Sequence, residues 1–296
     1  MKILAVFPLF PCAQNALDIT YYNIYLPLIE LGHQVVIYDP RESLISFEKC
    51  LEEYGTPDLL LSLFTGVGVE PLEEIGYLTK KGVITANLFA DDKWRFDNWS
   101  SKICKNFSYC LTSEPSAVNK YKEIGYQNII GIPWFCNEHL YSDISLVKKF
   151  DIVMVSRYLN TQRQIYKSLI TKLDSNKNVY GLGVSFEEMI ILMKRSKITL
   201  NLSGDSGGTT QIKLRMFEAP ACNSLLLSEY TKGIEEFWDI NKEIICFDSQ
   251  AEFESKAQWL LANDDKRAKV SQCAHERFLR QYTSKIVLKQ ILEKLK

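Results

Sequence analysis

The chain has 296 residues, of which 46% are hydrophobic and 24% charged, a composition that excludes an intrinsically disordered protein. At roughly 150 residues per domain, this length predicts two domains. The 35 Lys and Arg residues nearly balance the 36 Asp and Glu residues, so the formal net charge is only -1. The overall charge therefore favours neither a nucleic acid nor an anionic membrane as the partner.

The sequence also bears on cellular location and on metal binding. Its purely apolar runs, such as residues 59–61, are far shorter than the roughly 18 to 20 residues of a membrane span. Residues 1–8 lack the apolar core and small-residue cleavage site of a signal peptide, so we expect a soluble, cytoplasmic protein. The eight cysteines include no C-x-x-C pair, and none of the three histidines has a metal-binding spacing. This usage predicts reduced, mostly buried thiols.

Short β-rich apolar runs alternate with segments of helical periodicity, a pattern typical of a parallel sheet covered by helices. In the first half, helical periodicity is clearest at residues 18–31, 72–80 and 115–124. Six strands are predicted in this half, at residues 2–7, 34–38, 59–64, 83–89, 109–112 and 128–132. We expect them to form a Rossmann-like sheet.

A second alternation of strands and helices follows. Its predicted strands lie at residues 150–155, 178–180, 198–202, 224–227 and 243–247. Two sheets predict two α/β domains, residues 1–140 and 141–283, with a hinge at about residues 133–148 where Pro133 and polar residues interrupt the periodicity. Residues 250–296 are helical by periodicity and charge.

The loop after predicted strand 198–202 carries the most informative motif, because ligands of open α/β sheets bind at the carboxyl ends of strands. Its glycines let the backbone approach an anion, and the N–H groups of the following helix start can donate to phosphate. Two cations and a carboxylate in that helix are suited to a diphosphate and to ribose hydroxyls. The residues of this interpretation are Gly207, Gly208, Thr209, Lys213, Arg215 and Glu218. The alternative is a solvated loop before a surface helix.

This motif is neither a Walker loop nor a G-x-G-x-x-G fingerprint. Its core, Lys213-x-Arg215-x-Phe217-Glu218-Ala219-Pro220-Ala221-Cys222, and the following residues 225–229 resemble the C-terminal signature of bacterial glycosyltransferases. Further matching stretches are residues 87–96, 121–126, 233–237, 243–248 and 275–277. The chain is most similar to the spore-maturation CgeB-like group, which is related to the glycosyltransferase group 1 superfamily.

The resemblance covers most of the chain and implies the α/β fold called GT-B. In that fold two Rossmann-like domains face a central cleft, and the last helix, here residues 284–296, crosses back to complete the N-terminal domain. The N-terminal domain binds the acceptor, and the C-terminal domain binds the nucleotide-sugar donor. Glu218 resembles the glutamate that binds the ribose, while Lys213 and Arg215 resemble contacts to the diphosphate.

Other donor-binding positions are implied by place in the fold. Arg157 and Arg163 follow the first strand of the second domain and are similar in place to the family's basic phosphate loop, with Arg163 the preferred candidate. Gly181 lies where related enzymes pass their backbone against the nucleobase, although a structural turn explains this glycine equally well.

Two features leave the chemistry open. Many group 1 enzymes carry a second glutamate eight positions before the first, but here that position is Thr210, so the donor sugar and the retention of configuration stay undecided. In the N-terminal domain, Asp92 follows strand 83–89 and is the candidate general base. Alternatively, one of Asp91 and Asp92 caps the next helix and the other pairs with Lys93 or Arg95.

We therefore expect a hexosyltransferase-type glycosyltransferase that moves a sugar from a nucleotide diphosphate sugar, preferably UDP-linked, to an acceptor hydroxyl. Cations and helix N–H groups would stabilise the leaving diphosphate. The absence of a D-x-D pair predicts metal independence, with the nucleotide sugar as co-substrate and no cofactor. The alternatives are a non-catalytic nucleotide- or glycan-binding protein and a nucleotide-sugar epimerase, which the scarcity of histidine disfavours. The acceptor (glycan, lipid, protein or nucleic acid) and the oligomeric state stay open.

Overall fold

The computed structural model describes residues 1–7, 19–64, 66, 68, 70–156, 160–173, 179–204 and 208–295. By their internal contacts these residues form two compact units. The first unit comprises Met1–Pro133 and Ser284–Lys296, and it also takes in Gly208 and Thr209. The second unit comprises Trp134–Gly204 and Thr210–Thr283.

The first unit contains a six-stranded parallel sheet. Its strands are β1 (Lys2–Val6), β2 (Gln34–Tyr38), β3 (Leu59–Ser62), β4 (Ile84–Phe89), β5 (Tyr109–Thr112) and β6 (Ile129–Gly131). Their order across the sheet is β2-β1-β3-β4-β5-β6. All four residues of β3 are buried, as expected for a strand covered by helices on both faces of the sheet. Each of the six strands predicted for this half is present.

Helices connect these strands. They are α1 (Leu26–Glu30), α2 (Phe47–Tyr54), α3 (Leu72–Lys80), α4 (Asp92–Arg95), α5 (Ser101–Ile103) and α6 (Pro115–Glu123). A π-helical turn, Tyr21–Tyr25, precedes α1, and a second one, Phe96–Ser100, joins α4 to α5. The N-terminus of α2 is capped by Ser46, whose side chain accepts a hydrogen bond from the backbone N–H of Lys49.

The second unit contains a five-stranded parallel sheet in the order β11-β10-β9-β7-β8. These strands are β7 (Phe150–Ser156), β8 (Val179–Leu182), β9 (Ser196–Asn201), β10 (Leu225–Glu229) and β11 (Ile245–Phe247). The later helices are α7 (Glu138–Tyr141), α8 (Thr161–Lys172), α9 (Phe186–Lys194), α10 (Arg215–Ala221), α11 (Gln250–Ala262), α12 (Asp264–Gln281) and α13 (Ser284–Lys294).

Apolar side chains cover both faces of this second sheet, because successive residues of a strand point to opposite faces. Along β10, Leu226 packs into one buried cluster, which includes Phe217. Leu225 and Leu227 pack into the other, which includes Phe253. Strands buried on both faces need continuous apolar runs, and this requirement explains why β10 was visible in the sequence.

The last helix belongs to the first unit. Val287, Leu288 and Ile291 of α13 are buried, and the helix packs against α1 and the π-helical turn before it. An ion pair of 2.9 Å between Lys285 Nζ and Glu30 Oε2 joins α13 to α1. The first unit is therefore built from both ends of the described chain. In none of the described helices is an apolar stretch long enough to cross a membrane.

The packing of α13 predicts the effect of shortening one of its buried side chains. Because Leu288 is only 1% exposed, Leu288→Ala should destabilise the first unit by about 2–4 kcal/mol, the usual cost of a core Leu→Ala change. Urea unfolding of the full chain measures this effect. Lys289→Ala, at the exposed neighbouring position, is the matched control and should change little. Equal effects of the two changes would contradict this packing.

Candidate active site

Polar groups from three neighbouring elements meet at the carboxyl edge of the second sheet. The Gln162 side-chain amide, in the first turn of α8, donates to Glu229 Oε1 at 2.8 Å. The other oxygen, Glu229 Oε2, accepts the backbone N–H groups of Ser203 at 2.8 Å and Gly204 at 3.2 Å. One carboxylate at the end of β10 thus joins the loop after β9 to the start of α8.

Lys213 holds the same loop from its carbonyl side. Its ammonium donates to the backbone oxygens of Leu202, at 3.0 Å, and Gly204. The sequence interpretation directed this cation at a diphosphate. In the structure its described hydrogen bonds go to the loop backbone.

Arg163 lies in the first turn of α8, directly after the end of β7. The backbone N–H of Arg163 donates to the Asn160 side chain at 2.9 Å, which caps the helix. A helix start carries a partial positive charge, so a cation in its first turn adds to a field that attracts anions. Arg157, the other predicted phosphate contact from this region, lies outside the described residues.

Arg215 and Glu218 form an ion pair within α10. Arg215 Nη1 lies 2.9 Å from Glu218 Oε2, and the Tyr141 hydroxyl of α7 donates to Glu218 Oε1 at 2.8 Å. Glu218 is 3% exposed, and Tyr141 is fully buried. Burial, together with the nearby Glu218 charge, raises the pKa of Tyr141 well above its usual value. The group joins α7 to α10, and contact of Glu218 with ribose stays a prediction.

The predicted site glycines differ in what fixes them. A Cβ on Gly181 would lie 2.9 Å from Leu192 Cδ1 and 3.4 Å from Val155, so a larger residue there would make the end of the Leu192 side chain move. Gly208 has a φ of +78°, in the left-handed region that favours glycine, and its position is open. Thr209 is exposed beside it, and Gly207 lies outside the described residues.

Thr210, which stands where many group 1 enzymes have an acid, is bonded to Gly204 of the same loop. It forms an isolated antiparallel bridge with Gly204, whose N–H donates to Glu229. Its hydroxyl accepts a hydrogen bond of 2.9 Å from the Thr231 hydroxyl, two residues beyond Glu229. The position that lacks an acid therefore lies next to the carboxylate at the end of β10.

Asp92 lies inside the first unit and is 1% exposed. The Tyr121 hydroxyl donates to its two carboxylate oxygens at 3.2 and 3.1 Å. Burial raises the pKa of Asp92 to about 6, although hydrogen bonds from Ser100, Thr112 and Tyr121 oppose this shift. A general base must reach the acceptor hydroxyl, and an enclosed carboxylate is poorly placed to do so. The catalytic role of Asp92 stays a prediction.

The structure contradicts one part of the alternative interpretation of the two aspartates. Asp91 precedes α4, but its side chain makes no capping hydrogen bond, so that part of the alternative is wrong. Lys93 Nζ lies 3.4 Å from Glu114 Oε1. Arg95 stacks on the Trp94 ring, with 4.5 Å between the guanidinium carbon and the ring centroid.

Three residues of the carboxyl edge were missed in the sequence: Gln162, Ser203 and Glu229. In the sequence, Glu229 is the last residue of a stretch that resembles the family, residues 225–229. Its place at the carboxyl end of a predicted strand was the signal that could have identified it. Among the residues that the structure describes, no group of three or more His, Cys, Asp or Glu side chains is placed to hold a metal ion.

The second unit is also where the chain matches a known family. Residues 155–293 match the family described as "Glycosyl transferase-like". This segment runs from the end of β7 into α13 and contains the whole cluster around Glu229. A comparison with curated proteins finds no significant match.

The whole chain is similar in fold to solved glycosyltransferase structures. Sucrose-phosphate synthase from Thermosynechococcus elongatus has a TM-score of 0.68 at 11% identity, covering 99% of this chain and 98% of that one. HepE (Alr3699) of Anabaena in complex with UDP has a TM-score of 0.65 at 12% identity, covering 100% and 99%. A glycosyltransferase from Rickettsia africae has a TM-score of 0.64 at 13% identity, covering 98% and 96%.

These similarities, together with the two parallel sheets, confirm the predicted fold class: the chain has the α/β fold of GT-B glycosyltransferases. At sequence identities of 11–13%, these similarities are evidence for the fold alone. The segment 155–293 is a glycosyl transferase-like domain by its family match.

The buried position of Asp92 predicts a specific dependence of stability on pH. Its folded-state pKa of about 6 lies above its ordinary value of 3.8. The folded state therefore holds the proton more tightly than the unfolded state, so the stability that this group contributes is present below about pH 4 and is lost as the pH rises through about 6. Two pKa units correspond to about 3 kcal/mol, an upper bound for this loss.

In the Asp92→Asn variant, which cannot ionise there, this pH dependence should be absent. Urea unfolding between pH 4.5 and 7.5 should show wild type losing stability relative to this variant as the pH rises. Asp97→Asn, at a side chain that is 79% exposed on the neighbouring turn, is the control and should track wild type. A constant difference between wild type and Asp92→Asn would show that Asp92 is ionised throughout.

Proposed function

We propose that this chain is a glycosyltransferase that transfers a sugar from a UDP-linked donor to an acceptor hydroxyl. The observation that carries the proposal is the coincidence of the glycosyl transferase-like segment, residues 155–293, with the polar cluster at the carboxyl edge of the second sheet. Parallel α/β sheets bind their ligands at that edge. Structures of similar fold support UDP as the nucleotide, since HepE was solved with UDP and with UDP-glucose. Membership of the CgeB-like subgroup is part of the same proposal.

The second unit is proposed to hold the donor and the first unit the acceptor. In the reaction, the bond between the anomeric carbon and the β-phosphate oxygen breaks, and the nucleotide diphosphate leaves with the electron pair. The acceptor oxygen forms the new bond to the anomeric carbon, and its proton passes to a base, for which Asp92 was the sequence candidate. Negative charge thus develops on the leaving diphosphate, and fixed positive groups stabilise it.

Arg163 is the preferred diphosphate contact, because it combines a guanidinium with the positive end of a 12-residue helix. Lys213 then acts one step removed, by holding the carbonyls of the loop between β9 and α10. Arg215 offsets the charge of Glu218. Glu218 is proposed to meet the ribose from an orientation that Tyr141 and Arg215 fix.

A non-catalytic nucleotide-binding protein of the same fold is the second candidate. It is favoured by Thr210, a neutral residue where many related enzymes place an acid. Both candidates bind nucleotide, so turnover of the donor separates them. Release of UDP from UDP-glucose, with water or a sugar as acceptor, would establish the enzyme.

The proposal predicts selective nucleotide binding that depends on Arg163. Calorimetric titration with UDP, GDP, ADP and TDP should show tightest binding of UDP. Arg163→Ala should weaken UDP binding by about tenfold or more, because a charge-assisted contact to phosphate is lost. Lys172→Ala, which removes a cation from the far end of the same helix, is the matched control and should bind UDP like wild type.

Glu218→Ala tests the ribose contact but also removes a buried partner of Arg215. Tyr141→Phe therefore serves as its control, since it removes one hydrogen bond of the same group and leaves the carboxylate in place. Weaker UDP binding in Glu218→Ala alone supports the ribose role. Absence of binding by any nucleotide at millimolar concentration, or equal binding by wild type and Arg163→Ala, would refute this donor site.

A further inference from the structure

We propose that Glu229 is a positioning residue of the donor site, which holds residues 202–204, directly after β9, and the start of α8 in one fixed arrangement. The inference rests on the proposed function, because it assigns a role within that donor site. Its basis is a set of hydrogen bonds that reach one carboxylate from two separate loops.

The first part of the argument is the segment Leu202–Gly204. Ser203 is fully buried, so its backbone N–H has to find a partner within the protein. Glu229 Oε2 supplies that partner at 2.8 Å and takes the N–H of Gly204 at 3.2 Å. Hydrogen bonds from backbone N–H groups to a charged carboxylate are stronger than neutral ones.

The second part is the opposite charge on the other side of this segment. Lys213 donates to the carbonyls of Leu202 and Gly204, while Glu229 accepts from the N–H groups of Ser203 and Gly204. The anion and the cation thus act on opposite ends of one peptide group, which joins the carbonyl of Leu202 to the N–H of Ser203. The N–H and the carbonyl of Gly204 belong to the two peptide groups that follow. Such an arrangement fixes both the position and the orientation of this peptide plane.

The third part is the link to α8. Gln162 precedes Arg163, and its amide donates to Glu229 Oε1 at 2.8 Å. Gly204 provides the space for it, since a Cβ there would lie 2.9 Å from Gln162 Oε1. The helix that carries the preferred diphosphate contact is therefore attached, through Glu229, to Ser203 and Gly204 at the end of β9.

These hydrogen bonds also involve position 210, which lacks the acid that many group 1 enzymes have there. Thr210 bridges Gly204, and the hydroxyl of Thr231 donates to Thr210. Position 210 itself is neutral. The carboxylate that accepts hydrogen bonds from this loop is that of Glu229. The charge that organises the loop comes from the end of β10.

A swap of the two side chains tests this role. Glu229→Gln removes the charge and leaves two amides facing each other, while Gln162→Glu places two carboxylates together. Each single change should raise the dissociation constant for UDP about tenfold, the scale of one lost charge-assisted contact. In the Glu229→Gln/Gln162→Glu double variant, the new amide can accept from Ser203 and donate to the new carboxylate, so binding should recover in part, to about threefold weaker than wild type, because the N–H groups of Ser203 and Gly204 then meet a neutral acceptor.

Calorimetry with UDP and thermal unfolding are measured on all variants of the full chain. Glu254→Gln, the same change on α11, is the matched control and should leave both properties unchanged. A positioning role predicts that UDP affinity falls at a temperature where every variant is folded. The steady-state constants for release of UDP from UDP-glucose should show the same loss in kcat/KM and the same recovery in the double variant.

Three results would overturn the inference. Wild-type affinity in Glu229→Gln would show that the nucleotide site does not depend on this carboxylate, while leaving the proposed function intact. A lowered unfolding temperature with unchanged affinity would reduce Glu229 to a structural residue. A double variant as weak as the singles would show that the pair does not act as described. Failure of the wild type to bind UDP is a different outcome, which overturns the proposed function and this inference together.

Discussion

Parallel strand pairing is the constraint on which the rest of the structure depends. Every pairing between the described strands is parallel, in both sheets. A chain that returns through helices to start each strand at the same end brings all its strand-to-helix loops to one edge. In the second unit β10, β9 and β7 are neighbours, so Glu229, Ser203 and Gln162 come together although they are far apart in sequence. The site cluster is a direct consequence of this topology.

Each unit contains a buried carboxylate, and the two carboxylates differ in the groups that surround them. Glu218 has a guanidinium 2.9 Å away, on the same helix, so its burial is accompanied by an opposite charge. Asp92 has hydroxyl groups as neighbours, and burial outweighs their hydrogen bonds, so its pKa rises to about 6. A carboxyl group of this kind changes its charge within the physiological range. The charge of the first group is paired with a cation, and the second group makes stability depend on pH.

The fold could be read from the sequence because it rests on strong, local patterns. Strands that are buried on both faces need runs of apolar residues, and such runs mark β1, β3 and β10. The predicted segment 18–31 was a single helix, whereas the structure places a π-helical turn, Tyr21–Tyr25, before α1. Periodicity over one turn does not distinguish these two helix types.

The contacts of the candidate site were harder to predict from the sequence than the fold, because the direction of a side chain depends on its partners. Lys213 and Arg215 were interpreted as diphosphate contacts from their charge beside a glycine-containing loop and from the resemblance to the glycosyltransferase signature, and these roles stay predictions. The spacing of Arg215 and Glu218, three residues apart in a helix, could have indicated an internal ion pair. The link between Gln162 and Glu229 spans 67 residues, and no local pattern indicates such a pairing. Only the topology of the sheet brings these two side chains into contact.

Hydrogen–deuterium exchange with and without UDP tests the location of the donor site most directly. The account predicts that saturating UDP slows exchange at the start of α8, residues 160–166, and around the loop cluster, residues 202–204 and 210–215. Peptides from the β1 to β6 sheet should exchange at the same rate in both states. Protection confined to the first unit, or no protection at saturating UDP, would contradict the assignment of the donor site to the second unit.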